Sequence, residues 1–174
     1  MTSIIKVDQI QTASGTTPTV KTLGINDSGG VLQIVQAIKN NETSTSSSSF
    51  VDTGLSKSIT PRDSNSKILI TIDMPTRSNN SGVSLNVQYS TNGGSSYSDV
   101  SIAGSQNNWA HAASYTASGS TANWGHVTKN FIHSPSTGSP ITYKVQYRAV
   151  GTGANCIICD SSDAAMLTLT EIAG

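Results

Sequence analysis

The stretch of this chain that looks most like a metal or redox site is Cys156-Ile157-Ile158-Cys159. A thiolate pair needs both sulfurs on one side, whereas strand positions three apart point to opposite faces. Ile157 and Ile158 are β-branched and favour a strand. The chain has only 2 cysteines, so no second pair completes a zinc site. The expectation is two buried free thiols.

Trp109-Ala110-His111 and Trp124-Gly125-His126 form a loose echo across the Gly/Ser tract 117–121. Three readings stand. Indole faces pack well on sugar rings, so Trp109, His111, Trp124 and His126 could make a glycan platform. Three copies of a chain could also gather His111 or His126 around an axis and hold an ion. In the plainest reading each Trp fills the end of a β-sandwich and gives its N–H to a backbone carbonyl.

Catalytic chemistry has little to stand on. The acidic residues are scattered, and Asp52, Asp73, Asp99 and Asp160 sit beside strands without a partner pattern. No G-x-S-x-G elbow, phosphate loop or H-E-x-x-H occurs. We expect no enzyme and no cofactor.

The elements that would position these residues are strands. Charged residues make up 11% and aromatics 5% of the 174 residues, while 29 are Ser and 21 are Thr. Thr suits strands and Ser suits turns, which points to an all-β protein with long loops. The best alternation lies in VSLNVQYS and ITYKVQYRAV. Val83, Leu85, Val87 and Tyr89 are expected to face inward, as are Ile141, Tyr143, Val145, Tyr147 and Ala149. Ser84, Asn86, Gln88 and Ser90 are expected to face out. Ile68, Ile70 and Ile72 make a further clean face. Weaker strands are read around 109–115 and 125–132, and Asn92-Gly93 marks a hairpin whose two central residues want positive φ. About eight strands with few helical candidates predict an antiparallel β-sandwich of jelly-roll-like topology, its strand order left open.

Domain organisation follows from the same pass. Residues 1–30 read as an anchoring arm and linker, and 31–174 as the knob. In the arm, Ile4, Ile5, Val7 and Ile10 lie on one short strand that is unstable alone and must add to a sheet edge or wind around sister chains. Residues 31–39 and the C-terminal strand are apolar on both faces. One face of each would go to the core and the other to a subunit neighbour, so Leu32, Ile34, Ile38, Met166, Leu167 and Leu169 are the expected contacts to that neighbour. A formal charge of zero argues against a basic nucleic-acid surface and against electrostatic attachment to membranes. No apolar run approaches the ~20 residues of a membrane-spanning helix. The N-terminus does not read as a signal peptide, so synthesis in a cytoplasm and release inside a virus particle fit the chain.

Ile4-Ile5-Lys6-Val7-Asp8-Gln9-Ile10-Gln11-Thr12, followed by a Ser/Gly/Thr/Pro tract, resembles the start of many structural proteins of tailed bacteriophages, notably marine and cyanobacterial ones. Phe50-Val51-Asp52-Thr53-Gly54-Leu55, with Ser58-Ile59-Thr60-Pro61 and Ser66-Lys67-Ile68-Leu69-Ile70, resembles the β-rich fibre domains of such proteins. So do the 89–97 hairpin and Leu167-Thr168-Leu169-Thr170-Glu171-Ile172. The resemblance implies a homotrimeric virion fibre, head fibre or appendage, anchored to a capsid or tail protein by its arm, with the knob facing a host-surface glycan. Ser90-x-Asn92-x-Gly94-x-x-Tyr97 is similar to the Asp-box hairpin of sialidase-like proteins, a fold element that carries no activity. A carbohydrate-binding module or adhesin, and a capsid cement protein, are the alternatives.

Overall fold

The computed structural model describes residues 29–79, 82–101, 110–112, 122–150, 155–160 and 163–174. They form β1 (Val31–Lys39), β2 (Thr43–Thr45), β3 (Val51–Ile59), β4 (Lys67–Asn79), β5 (Gly82–Ser90), β6 (Ser98–Asp99), β7 (Ala110–Ala112), β8 (Ala122–His133), β9 (Ile141–Val150), β10 (Asn155–Ile158) and β11 (Ala165–Ile172). Every pairing is antiparallel. The arm residues Ile4, Ile5, Val7 and Ile10 lie outside the described residues, as does Trp109.

The pairings make two sheets. In the first, β4 has β8 along one side and β11 followed by β10 along the other; β1 flanks β11 and β2 flanks β10. In the second, β9 lies between β3 and β5, and β6 and β7 share the far side of β5. Taking β1/β2, β6/β7 and β10/β11 each as one interrupted strand leaves eight positions in chain order, arranged 1-8-3-6 and 2-7-4-5. First pairs with last, second with seventh, third with sixth and fourth with fifth. That order is the jelly roll, two interlocked Greek keys.

The core lies between the sheets. Ile68, Ile70, Ile72 and Met74 of β4, with Leu167 and Leu169 of β11, meet Val83, Leu85 and Val87 of β5 and Tyr143, Val145 and Tyr147 of β9. Strict period two on β9 produces a strict buried/half-buried alternation, as its sequence predicts.

Elsewhere the pattern departs from expectation for local reasons. A bulge between Val31 and Gln33 leaves Leu32 as the extra residue, half-buried, and turns Val31 to the same outer face as Ile34 and Ile38. Ser84 and Asn86, expected on a solvated face, are buried. The hairpin after β5 is a seven-residue loop, 91–97. Its positive φ values fall on Gly93 (71°) and Gly94 (89°), not on Asn92. Asn92 acts through its side chain instead: Oδ1 accepts from Ser96 N at 3.1 Å and from Ser90 Oγ at 2.8 Å. The hydroxyl-rich stretch after residue 42 supplies β2.

Candidate functional site

The outer face of the first sheet gathers features that a solvated surface does not need. Its rows follow from the register. One row runs Ile34, Thr170, Leu69, Ile132; the next runs Gln36, Thr168, Thr71, Asn130; the third runs Ile38, Met166, Asp73, Thr128. Beyond them lie Pro75 beside His126, and Ile157 and Arg77 beside Trp124. All five exposed large hydrophobics among the described residues sit on this face: Val31 at 54%, Ile34 at 62%, Ile38 at 63%, Trp124 at 61% and Ile132 at 50%.

The six expected subunit contacts are therefore divided. Ile34 and Ile38 point outward and Met166 is half-buried beside them, while Leu32 occupies the bulge. Leu167 and Leu169 are fully buried in the protomer's own core. Period two explains the correction, since Met166 and Leu167 are neighbours in sequence and cannot share a face.

Trp124 does not fill the end of the sandwich. The Arg77 guanidinium lies 5.4 Å from the indole centroid, and Arg77 Nε is 2.7 Å from Asp160 Oδ2. Asp160, buried just after β10, thus holds the arginine that holds the ring. His126 Nδ1 lies 2.9 Å from Asp73 Oδ1, and Thr128 Oγ1 donates to the same oxygen at 3.0 Å. The hydroxyl points at the carboxylate, not at the imidazole, so this trio lacks the nucleophile-to-base contact of an acyl-transfer site. It pins side chains on a flat surface. His111 is at a strand position of β7 opposite Ser84, in the second sheet, while Trp124 and His126 lie on β8 in the first.

Both cysteines are buried and free. Cys156 Sγ donates to Gly82 O and Cys159 Sγ to Lys39 O, each at 3.3 Å; Cys159 lies beyond β10 with φ 56°, so strand alternation does not set its direction, and both thiols belong to the core. Burial pushes both thiols up from their ordinary range. Among the described residues no three His, Cys, Asp or Glu side chains come together as metal ligands, and no helix is long and apolar enough to cross a membrane.

A second polar cluster lies at the end of β8. His133 Nδ1 is 2.7 Å from Tyr143 Oη, and its ring lies 4.6 Å from Tyr89. Burial lowers the His133 imidazole and raises the Tyr143 phenol well above its ordinary value.

Sequence reasoning missed Asp73, Arg77 and Asp160 as members of the first face. Their partners are 53, 47 and 83 positions away, and only the strand register brings them together.

No protein-family model matches the chain, and no curated protein matches it in sequence. A solved structure of infectious bursal disease virus, Gx strain, is similar to it at 10% identity and a TM-score of 0.34, over 83% of this chain. The chain spans 39% of that solved chain.

Proposed function

We propose that this protein is a non-enzymatic structural subunit of a bacteriophage virion, a short fibre, head-fibre or appendage protein that displays a trimeric β-knob. The observation that carries the reading is the confinement of Val31, Ile34, Ile38, Trp124 and Ile132 to one outer sheet face. An apolar set of that kind marks a surface that a partner covers. The occupant is a second and third copy of the same chain, with Ile34, Ile38 and Met166 at the contact and Leu167 and Leu169 stiffening it from behind. Charges on the face are few and mixed in sign, Lys67 and Arg77 against Asp73 and Asp160, so identical copies do not repel across it.

The arm, residues 1–30, attaches the knob to a capsid or tail protein through Ile4, Ile5, Val7 and Ile10. Three things support this. The opening residues resemble the start of phage structural proteins. Gly29 N donates to Ala173 O at 2.9 Å and Ala173 N to Gly30 O at 2.8 Å, which tethers the arm's last two residues at the end of the β1–β11 pair. The arm therefore leaves from the margin of the apolar face. β1 is also an edge strand that pairs, among the described residues, with β11 alone, and an open edge suits strand addition.

Deleting residues 2–24 tests the reading. The truncated protein is expected to keep the solution mass of three protomers and to disappear from purified particles. A full-length chain that is monomeric at micromolar concentration overturns the trimer. A truncated one that still decorates particles, seen by labelled electron microscopy, overturns the anchoring arm.

A further inference from the structure

The outer face of the second sheet is built differently. None of the exposed large hydrophobics among the described residues lies on it. It carries two adjacent cross-strand rows of polar side chains, Asp52–Gln146–Asn86 and Ser56–Lys144–Gln88–Asp99. Asp52 Oδ1 accepts from Gln146 Nε2 at 2.9 Å and from Lys144 Nζ at 3.0 Å, and Asp52 Oδ2 accepts from the same ammonium at 3.1 Å. Asp99 Oδ1 accepts from Asn86 Nδ2 and Gln88 Nε2, each at 2.8 Å. Lys144 Nζ also lies 4.0 Å from the Tyr97 ring centroid. Each amide gives an N–H to a carboxylate, so its plane is already fixed. Side chains held this way lose little further freedom when a ligand arrives.

A bulge opens the space between the rows. Residues 53–55 stand opposite the single Val145. Gly54 takes φ 80°, Thr53 Oγ1 donates to Val145 O at 2.7 Å, and Leu55 N donates to Thr53 Oγ1 at 3.0 Å. The resulting open cavity has a volume of about 150 Å³, with Asp52, Ser56, Tyr97 and Lys144 on its walls. It suits one exocyclic arm of a sugar, a hydroxymethyl or acetamido group, while the ring lies across the polar rows. A bulge beside a functional site is a common device for making room.

Charge narrows the ligand class. Asp52 neutralises Lys144, and the face offers no basic patch to draw phosphate or a polyanion. It also lacks the apolar area that a protein partner would cover. Closely spaced, pre-oriented donors and acceptors of both kinds, without net charge, match the hydroxyl pattern of a neutral sugar.

We infer that the outer face of the second sheet, around Asp52, Gln146, Lys144, Gln88 and Tyr97, binds a neutral saccharide. The inference rests on the first sheet being the side that sister copies cover, which leaves this face outward on each knob. Three outward sites would turn weak single-site binding into firm attachment through effective concentration.

Saturation-transfer NMR on the full-length protein tests it, with the methyl glycosides of glucose, mannose, galactose and N-acetylglucosamine as probes. Transfer is expected to at least one probe, strongest at the exocyclic arm. The pair Asp52→Ala and Gln146→Ala should weaken it about tenfold. Ser56→Trp, a substitution at an exposed position that plugs the cavity, should abolish it, and Trp124→Ala should leave it unchanged. No transfer to any of the four probes, or transfer that survives both Ser56→Trp and the double variant, overturns the site. Mass measured on the same sample separates the two readings: a trimer that ignores sugars sinks this site alone, and a sugar-binding monomer sinks the trimer alone.

Discussion

Ile34 and Ile132 stand at opposite ends of one cross-strand row, with Thr170 and Leu69 between them. Three strand spacings put them about 14 Å apart. Both residues are exposed, at 62% and 50%, on the two outer strands of the same sheet. The apolar side chains are therefore spread over the width of the face, as a broad contact requires, and do not form one sticky spot.

Ile34→Glu, alone or with Ile38→Glu, is expected to dissociate the trimer and leave the protomer folded. Each site loses an apolar contact and gains a charge in it, roughly 2 kcal/mol of association free energy or about thirtyfold in affinity. Because both side chains already face water in the protomer, its own stability should change by no more than about 0.5 kcal/mol. Sedimentation equilibrium reads the first effect and urea unfolding of the dissociated protein the second. A variant that keeps the trimer mass places the contact elsewhere.

His133 is expected to make stability pH-dependent. Burial lowers its imidazole below the ordinary 6.5, and the phenol of Tyr143, kept protonated by its own burial, is fit to donate to an unprotonated Nδ1. As pH falls through 6.5 the unfolded chain takes up a proton that the folded one refuses. The unfolded state then binds more protons, so stability drops as pH falls below that point and is fully present above it. Urea midpoints between pH 7.5 and 5 should fall more steeply for the native protein than for His133→Gln. His126 and His111 remain in both proteins, so the difference isolates His133. Identical slopes would remove the effect from this residue.

How far the sequence goes toward this fold can be seen strand by strand. β9 and most of β4 are legible because a period-two pattern needs nothing beyond the strand itself. The strand order is not, since it depends on pairings such as β1 with β11 across more than a hundred residues. Position-specific failures have the same origin. Asp52, Asp73, Asp99 and Asp160 look unpartnered along the chain, yet each meets a donor on a neighbouring strand or element. Glu171 is a charged residue near the end of β11. It is fully buried, and accepts from Gln33 Nε2 at 2.6 Å and from Arg62 N at 2.7 Å. Leu32 misleads because one bulge reverses the faces of its neighbours. Trp124 is legible as an unusual residue, but whether it fills the sandwich or faces outward is left open by the sequence.

Cys156 and Cys159 should resist modification in the folded protein. Each thiol is buried, donates to a backbone carbonyl, and is held away from the reactive thiolate form. A chromogenic disulfide reagent at pH 8 is expected to react with two thiols in guanidinium and, in buffer alone, only as fast as the protein opens. Immediate reaction of either thiol in the native state would mean that its surroundings are looser than the core they belong to.

Tyr147 offers a test of the opposite sign, a substitution that should help. Its ring is fully buried in the sandwich, and its hydroxyl has no hydrogen-bond partner among the described residues. Burial pushes its phenol up to about 12, so the group stays neutral over the ordinary pH range. Folding removes that hydroxyl from water without a replacement bond, a cost of about 1–3 kcal/mol. Phenylalanine keeps the ring and its packing against the core and removes the cost. Tyr147→Phe is therefore expected to raise the unfolding free energy by roughly 1 kcal/mol, at the low end of that range because the vacated space relaxes only in part. Urea unfolding of the dissociated protomer, prepared with Ile34→Glu in both backgrounds, keeps oligomerisation out of the measurement. A loss of stability of similar size would instead reveal that the hydroxyl is satisfied by bound water or by the part of the chain beyond the described residues.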